Sequence, residues 1–148
     1  MTTPRGIRNN NPGNIDFNPR NQWVGQIGKE AGPNGRFAVF DKPEHGIRAL
    51  AKLLLNYRGK DGMPGIGGPG IDTVRETINR WAPAKENNTE AYIQAVSRKL
   101  GVQPNDKINI GTEATVRVFV VSIIEHENGK QPYDASVINE GIRLALAK

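Results

Sequence analysis

Residues 116–129 run Val-Arg-Val-Phe-Val-Val-Ser-Ile-Ile-Glu-His-Glu-Asn-Gly, and they constrain this chain more than any other stretch. The run is apolar on nearly every side but too short to cross a membrane, so the rest of the chain must cover it. It predicts a helix at the centre of a bundle. Val116, Val120, Ile123 and Glu127 fall at helical spacing on one face, which predicts that Glu127 points toward the core. There, desolvation and the negative end of the helix dipole would both disfavour its charge and raise its pKa. A glutamic acid that keeps its proton near neutral pH is what cleavage of a glycosidic bond requires. The plainer alternative is a salt bridge from Glu127 to an arginine at the helix end, and this stretch leaves both open.

The 148 residues predict one domain, 1–148, with a real core. Hydrophobic residues are only 36%, against 17 glycines and 10 prolines, so loops should be long or numerous. Cysteine is absent, which excludes disulfides and thiolate metal sites and fits folding in a cytosol. The opening Met-Thr-Thr-Pro-Arg-Gly has no apolar run, so no signal peptide is expected. Action outside a cytoplasm would need another factor to deliver the protein. No stretch predicts membrane insertion. The net charge of +5 favours a polyanionic partner, nucleic acid or an anionic cell-wall polymer. The basic residues are scattered, without interleaved aromatics or a recognition-helix pattern, which argues against nucleic acid.

Along the chain, residues 1–40 read as loop plus a small β-hairpin. Asn9 to Asn14 is turn chemistry throughout. Trp23–Ile27 and Arg36–Phe40 read as strands around a loop at 28–35. Asp41-Lys42-Pro43-Glu44 reads as a helix start, with Asp41 as N-cap and Glu44 closing a capping box. Ile47, Leu50, Ala51, Leu54 and Tyr57 mark the buried side of that helix. Gly59 to Gly70 holds six glycines and two prolines and reads as a long flexible loop. A second helix starts at Asp72 or Thr73 and reaches Trp81, stopped by Pro83. A third is capped by Asn88 or Thr89 and ends at Leu100 before Gly101. Gly111-Thr112 opens the apolar helix. A last helix spans 134–147, with Ala135, Ile138, Ile142 and Ala145 or Leu146 inward. The predicted fold is therefore mainly α, a hairpin followed by five helices.

Residues 5–15, Arg-Gly-Ile-Arg-Asn-Asn-Asn-Pro-Gly-Asn-Ile, resemble the opening of a group of small bacteriophage virion proteins known as structural or lysozyme-like proteins. The resemblance continues through Phe37–Ala49, through Arg80-Trp81-Ala82-Pro83 with Glu86-Asn87-Asn88-Thr89, and through His126-Glu127-Asn128-Gly129 with Pro132-Tyr133. It spans nearly the whole chain. It implies an α+β lysozyme-like fold, peptidoglycan as partner, other virion proteins as further partners, and no cofactor. A weaker resemblance is to flagellar-type glucosaminidases, in the order of the Asn-rich turn, Trp23 and Gly25, Phe37 to Phe40, and Asn88 to Tyr92. That family carries its catalytic glutamate before the Asn-rich turn, where this chain has none. A circular permutation would reconcile the two, with Glu127 supplying the acid from the C-terminal side.

Two catalytic candidates follow, Glu127 as general acid and Glu44 as its rival. Glu44 at a helix N-terminus is stabilised in its charged form, which suits a base or electrostatic stabiliser, but the capping box is the stronger reading of it. Glu30 and Asp16 are further carboxylates, with solvated loop charge as their simpler reading. Trp23 and Trp81 could stack on a pyranose or fill a core. Asn10, Asn14, Asn88 and Tyr133 could hydrogen-bond N-acetyl groups, or serve turns and caps. His45 and His126 lack the spacing of a metal site, and no metal is expected. No acyl-transfer or phosphate-loop motif is complete.

Overall fold

The computed structural model describes residues 3–68, 70–82 and 88–147. Pro83, Glu86 and Asn87, which carry the expected helix stop and part of the resemblance, lie outside the described residues. Along the chain come α1 (Arg5–Arg8), β1 (Gln26–Lys29), β2 (Ala38–Phe40), α2 (Pro43–Asn56), a 3-10 turn at Tyr57–Gly59, α3 (Val74–Trp81), α4 (Thr89–Leu100), α5 (Glu113–Asn128) and α6 (Ala135–Leu146). The architecture is α-dominated α+β. It divides into two compact units, one of residues up to Lys52 and from Val120 on, the other Leu53–Phe119. The chain passes between them within α2 and within α5.

In the first unit, β1 and β2 are antiparallel, pairing Gln26 with Phe40, Gly28 with Val39 and Lys29 with Ala38. β1 begins three residues later than the sequence predicts. Trp23 to Gln26 is a turn, closed by Gln26 N–H donating to the Trp23 carbonyl at 3.0 Å. Gly25, at φ +81°, carries the chain across the His45 ring where a Cβ would collide. An irregularity between Gln26 and Gly28 turns Ile27 outward, 68% exposed. The segment before the hairpin adds a bridge between Asp16 and Phe37.

That N-terminal segment is more ordered than the loop expected from its sequence. Residues 5–8 form a helical turn, and Asn11 is fully buried. Asn11 Nδ2 donates to the carbonyls of Ile15 and Ala38, both at 2.9 Å, and its Oδ1 accepts from Ile15 N–H at 3.0 Å. Asparagine here does the work of a missing strand, satisfying backbone groups that the turn leaves unpaired.

α2 starts where expected, but not with a capping box. The Asp41 N–H that Glu44 would have received is donated to the Gly25 carbonyl at 2.9 Å. The Asp41 carboxylate instead meets His45 Nδ1 at 2.7 Å, one helical turn on. Ile47, Leu50 and Ala51 are buried as the periodicity predicts. α6 lies against this helix through Gly141, where any Cβ would press on Ile47. Ile138, Ile142 and Ala145 face inward, whereas Ala135 and Leu146 are exposed, being in the end turns where the neighbour no longer covers them.

In the second unit, Thr73 caps α3, accepting from Glu76 N–H, and Asn88 caps α4, accepting from Ala91 N–H. Gly101, at φ +74°, ends α4 with Val102 N–H donating back to the Ser97 carbonyl at 3.1 Å. The Gly-rich stretch is not a free loop. Glu76, 2% exposed, accepts from Met63 N–H at 2.9 Å, from Asp72 N–H at 3.2 Å and from the Thr73 hydroxyl at 2.9 Å. Asp72 in turn accepts from Gly68 N–H at 3.0 Å. No helix among the described residues is long and apolar enough to cross a membrane.

Candidate functional site

The end of α5 carries the candidate acid. Within the first unit its buried apolar residues are Val120, Ile123 and Ile124, with Ser122 also buried, and four residues after Ile124 comes Asn128, 8% exposed. Glu127 is exposed as a residue, which corrects the expectation that it points into the core. The covering segment lies on the Asn128 side, and Glu127 falls at its margin. Its carboxyl nonetheless sits close enough to packed atoms that burial raises its pKa above the usual carboxylate range, an effect partly offset by a hydrogen bond from the Asn14 side chain. Gly129, at φ +73°, turns the chain away at once.

Two asparagines join this helix end to the N-terminal turn. Asn128 Nδ2 donates to the carbonyls of Pro12 and Ile124, each at 2.9 Å. Asn14, held at φ +50°, reaches Glu127 itself. Both approach Gly6, where a Cβ would lie 2.6 Å from Asn128 Oδ1 and 2.9 Å from Asn14 Oδ1. Sequence reasoning named Asn14 but missed Asn128 and Gly6. Asn128 stands four residues after Ile124, so its place on the apolar side was there to be read.

Glu30 is not the solvated loop charge expected from its position in the hairpin loop. It is 8% exposed and held by Arg5, whose Nε and Nη2 donate to it at 2.7 and 2.5 Å, and by Asn9 Nδ2 at 2.9 Å. The Arg5 guanidinium holds its carboxyl far below the ordinary range. Arg5 and Arg36 also lie over the Phe37 ring, 4.5 and 4.9 Å from its centre. A cavity of about 420 Å³ opens here, lined by Arg5, Arg8, Glu30 and the loop from Ala31 to Gly35. Asp16 pairs with Arg36 at 2.8 Å.

The other candidates are spread over both units. Glu44 occupies the first turn of α2, partly exposed. Asn10, at φ +53°, donates from Nδ2 to the Phe40 carbonyl at 3.1 Å, which is turn chemistry. Trp23 is partly exposed beside the exposed Val24 and Ile27. Tyr133 has a buried hydroxyl without a hydrogen-bond partner, and burial pushes its pKa up to about 12. In the second unit, Trp81 ends α3, partly exposed, and Asn88 serves as the α4 cap. Among the described residues, no three His, Asp or Glu side chains gather as a metal site would require.

Fold and site together define a mainly helical α+β protein whose asparagine-rich N-terminal turn is tied to the end of an apolar helix. No family model matches the sequence. The chain is 39% identical over 139 residues to Protein P5 of Pseudoalteromonas phage PM2, an alignment covering 93% of this chain and 79% of that protein. It therefore belongs to the family of Protein P5, which supports the bacteriophage context read from residues 5–15.

Proposed function

We propose that this chain is a phage peptidoglycan-cleaving glycosidase with a permuted lysozyme-like arrangement, acting on the β-1,4 bonds of the glycan strand. The observation that carries the reading is Glu127. Its carboxyl ends the apolar helix, is biased toward the neutral form by burial, and meets the asparagine-rich turn through Asn14. Glu127 protonates the leaving glycosidic oxygen. Water or the substrate's own hydroxyl then attacks the anomeric carbon and returns a proton to the carboxylate.

With Glu30 committed to Arg5, no second carboxylate is assigned as nucleophile. That favours the single-acid route of a lytic transglycosylase over a paired-carboxylate mechanism. Trp23, with Val24 and Ile27 exposed beside it, suits the apolar face of a sugar. The cavity between Arg5, Arg8 and the 31–35 loop suits an anionic group of the wall polymer. The positive charge and the phage relative fit a virion-borne protein that meets the cell wall.

A second reading, a virion structural protein that keeps this scaffold without catalysis, draws on the exposure of Glu127 and the same missing second carboxylate. Mass spectrometry of purified peptidoglycan after incubation with wild type and Glu127→Gln decides between them. Cleavage by the wild type alone supports the enzyme. Anhydro ends identify a transglycosylase and reducing ends a hydrolase. Intact glycan with both proteins favours the structural reading.

A further inference from the structure

The cavity beside the hairpin holds more positive charge than its own groups neutralise. Two guanidinium groups line it, those of Arg5 and Arg8, with Glu30 as the single carboxylate of its wall. Glu30 is already saturated. Its Oε1 accepts from Arg5 Nη2 at 2.5 Å, from Arg36 N–H at 3.2 Å and from Phe37 N–H at 3.3 Å. Its Oε2 accepts from Arg5 Nε at 2.7 Å and from Asn9 Nδ2 at 2.9 Å. A carboxylate offers about four lone-pair sites, so these donors leave no good position for another. Arg8 Nη2 accordingly stops 3.5 Å from Oε2, at the limit of a hydrogen bond, and its side chain is 61% exposed. Arg36 is engaged by Asp16 at 2.8 Å. Among these three arginines, Arg8 is the one whose charge no carboxylate answers at close range.

The walls of the cavity are fixed. The Arg5 guanidinium lies 4.5 Å from the centre of the Phe37 ring, and its Nη2 also donates to the Asn34 carbonyl at 3.0 Å. Those bonds use Nε and Nη2 and leave the Nη1 edge. Gly35 N–H donates to the Gly32 carbonyl at 3.2 Å, and a Cβ on Gly35 would collide with the Glu30 carbonyl oxygen, 2.2 Å away. The 31–35 loop is thus closed on itself and pressed against Glu30. The volume of about 420 Å³ admits a small anionic group with part of its carrier. Arg5 and Arg8 also stand three residues apart on a single helical turn, where like charges repel and a bound anion relieves them.

We propose that this cavity is a carboxylate-binding site in which Arg8 supplies the recognising guanidinium. One unanswered charge is what a carboxylate neutralises, whereas a phosphate monoester carries up to two. The fork of a guanidinium matches the two oxygens of a carboxylate, and Arg5 makes that same pairing with Glu30 in the wall. α1 meets the end of α5 as well, since a Cβ on Gly6 would lie 2.6 Å from Asn128 Oδ1. One helical turn therefore links the cavity to the helix that carries Glu127. The identity of the carrier rests on the peptidoglycan reading, in which the ligand is a carboxylate of the peptide stem borne by the glycan. The site itself does not depend on that reading.

The test is an NMR titration of the whole protein with sodium acetate, with sodium chloride as the ionic-strength control. It follows the Nε–H signals of Arg8 and Arg20 and the backbone amides of Gly32 and Asn34. Saturable shifts beyond those of chloride are expected at Arg8, Gly32 and Asn34, and none at Arg20, which is exposed outside the cavity. Arg8→Gln should weaken acetate binding about tenfold, and Arg20→Gln should leave it unchanged. Shifts that follow chloride throughout, or equal acetate binding by Arg8→Gln, would overturn the proposal. Tighter binding of dimethyl phosphate than of acetate would overturn it too, in favour of a phosphodiester site. Should Arg8→Gln not fold, the wild-type titrations decide alone. A muramyl dipeptide, whose peptide ends in a carboxylate, tests the carrier. Binding tighter than acetate and lost with Arg8→Gln supports the peptide stem. Saturable acetate binding beside an inert muramyl dipeptide overturns the stem assignment and upholds the carboxylate site.

Discussion

Asn128 donates a hydrogen bond to the carbonyl of Pro12, 116 residues away in the chain, at 2.9 Å. The same amide nitrogen reaches Ile124 one turn back on its own helix. A single side chain thus fastens the end of α5 to the asparagine-rich turn. Asn128→Ala removes both bonds and leaves the Pro12 carbonyl without this donor. Denaturant titration should show a loss of about 1–3 kcal/mol. A midpoint equal to that of the wild type would show that the bond to Pro12 contributes nothing.

Glu30 sets the acid limb of stability. Its folded pKa is depressed, chiefly by Arg5, so its contribution is fully present above the unfolded value near 4.5 and is lost as pH falls below it. Glu30→Gln should therefore be less stable than wild type at neutral pH, and the gap should narrow progressively on acidification. Urea midpoints measured from pH 7 down to pH 3 check this. A gap independent of pH would mean the ion pair is not what Glu30 contributes.

Glu76 organises the Gly-rich stretch of the second unit from a position 2% exposed. Glu76→Ala strips the acceptors from Met63 N–H, Asp72 N–H and the Thr73 hydroxyl. A destabilisation of about 1–3 kcal/mol is expected. Hydrogen exchange should quicken first at the amides of Met63 and Asp72. Unchanged exchange at those two amides would contradict the geometry.

Glu127 carries the opposite sign from Glu30. Its folded pKa is raised, so the stability linked to it is full below about 4.5 and declines as pH rises through the folded value. In the proposed role of general acid it would act only while protonated, so the glycan cleavage proposed above should fall along that same rise. Glu127→Gln should keep the fold, abolish cleavage and flatten this part of the stability profile. Glu44→Gln should leave cleavage largely in place. A dead Glu44→Gln beside an active Glu127→Gln would exchange the two roles.

The helices of the second unit and the inward side of α6 were legible because periodicity and caps are local signals. Thr73, Asn88 and Gly101 announce their roles within four residues. The start of α2 was legible in position but not in chemistry, since the N–H that Glu44 would have bonded is taken by Gly25, sixteen residues before Asp41. Glu30 illustrates the same difficulty. Loop position suggested a solvated carboxylate, and only the long-range approach of Arg5 and Asn9 made it buried. The pattern placed Glu127 at the end of α5 but on the core-facing side, and its exposure could not be read from spacing because it depends on which side of α5 other segments cover, a tertiary matter. Asn11 reads as turn chemistry in sequence, yet its bond to Ala38 makes it an internal strut.

The division of α2 and α5 between two units also sets an order of events during synthesis. Once residue 119 has emerged from the ribosome, every residue of the unit from Leu53 to Phe119 is outside it, but only part of the other. Ile47, against which Gly141 of α6 packs, must wait, uncovered, for that helix. Pulse-labelled nascent chains should accordingly gain protease resistance in their middle before their beginning.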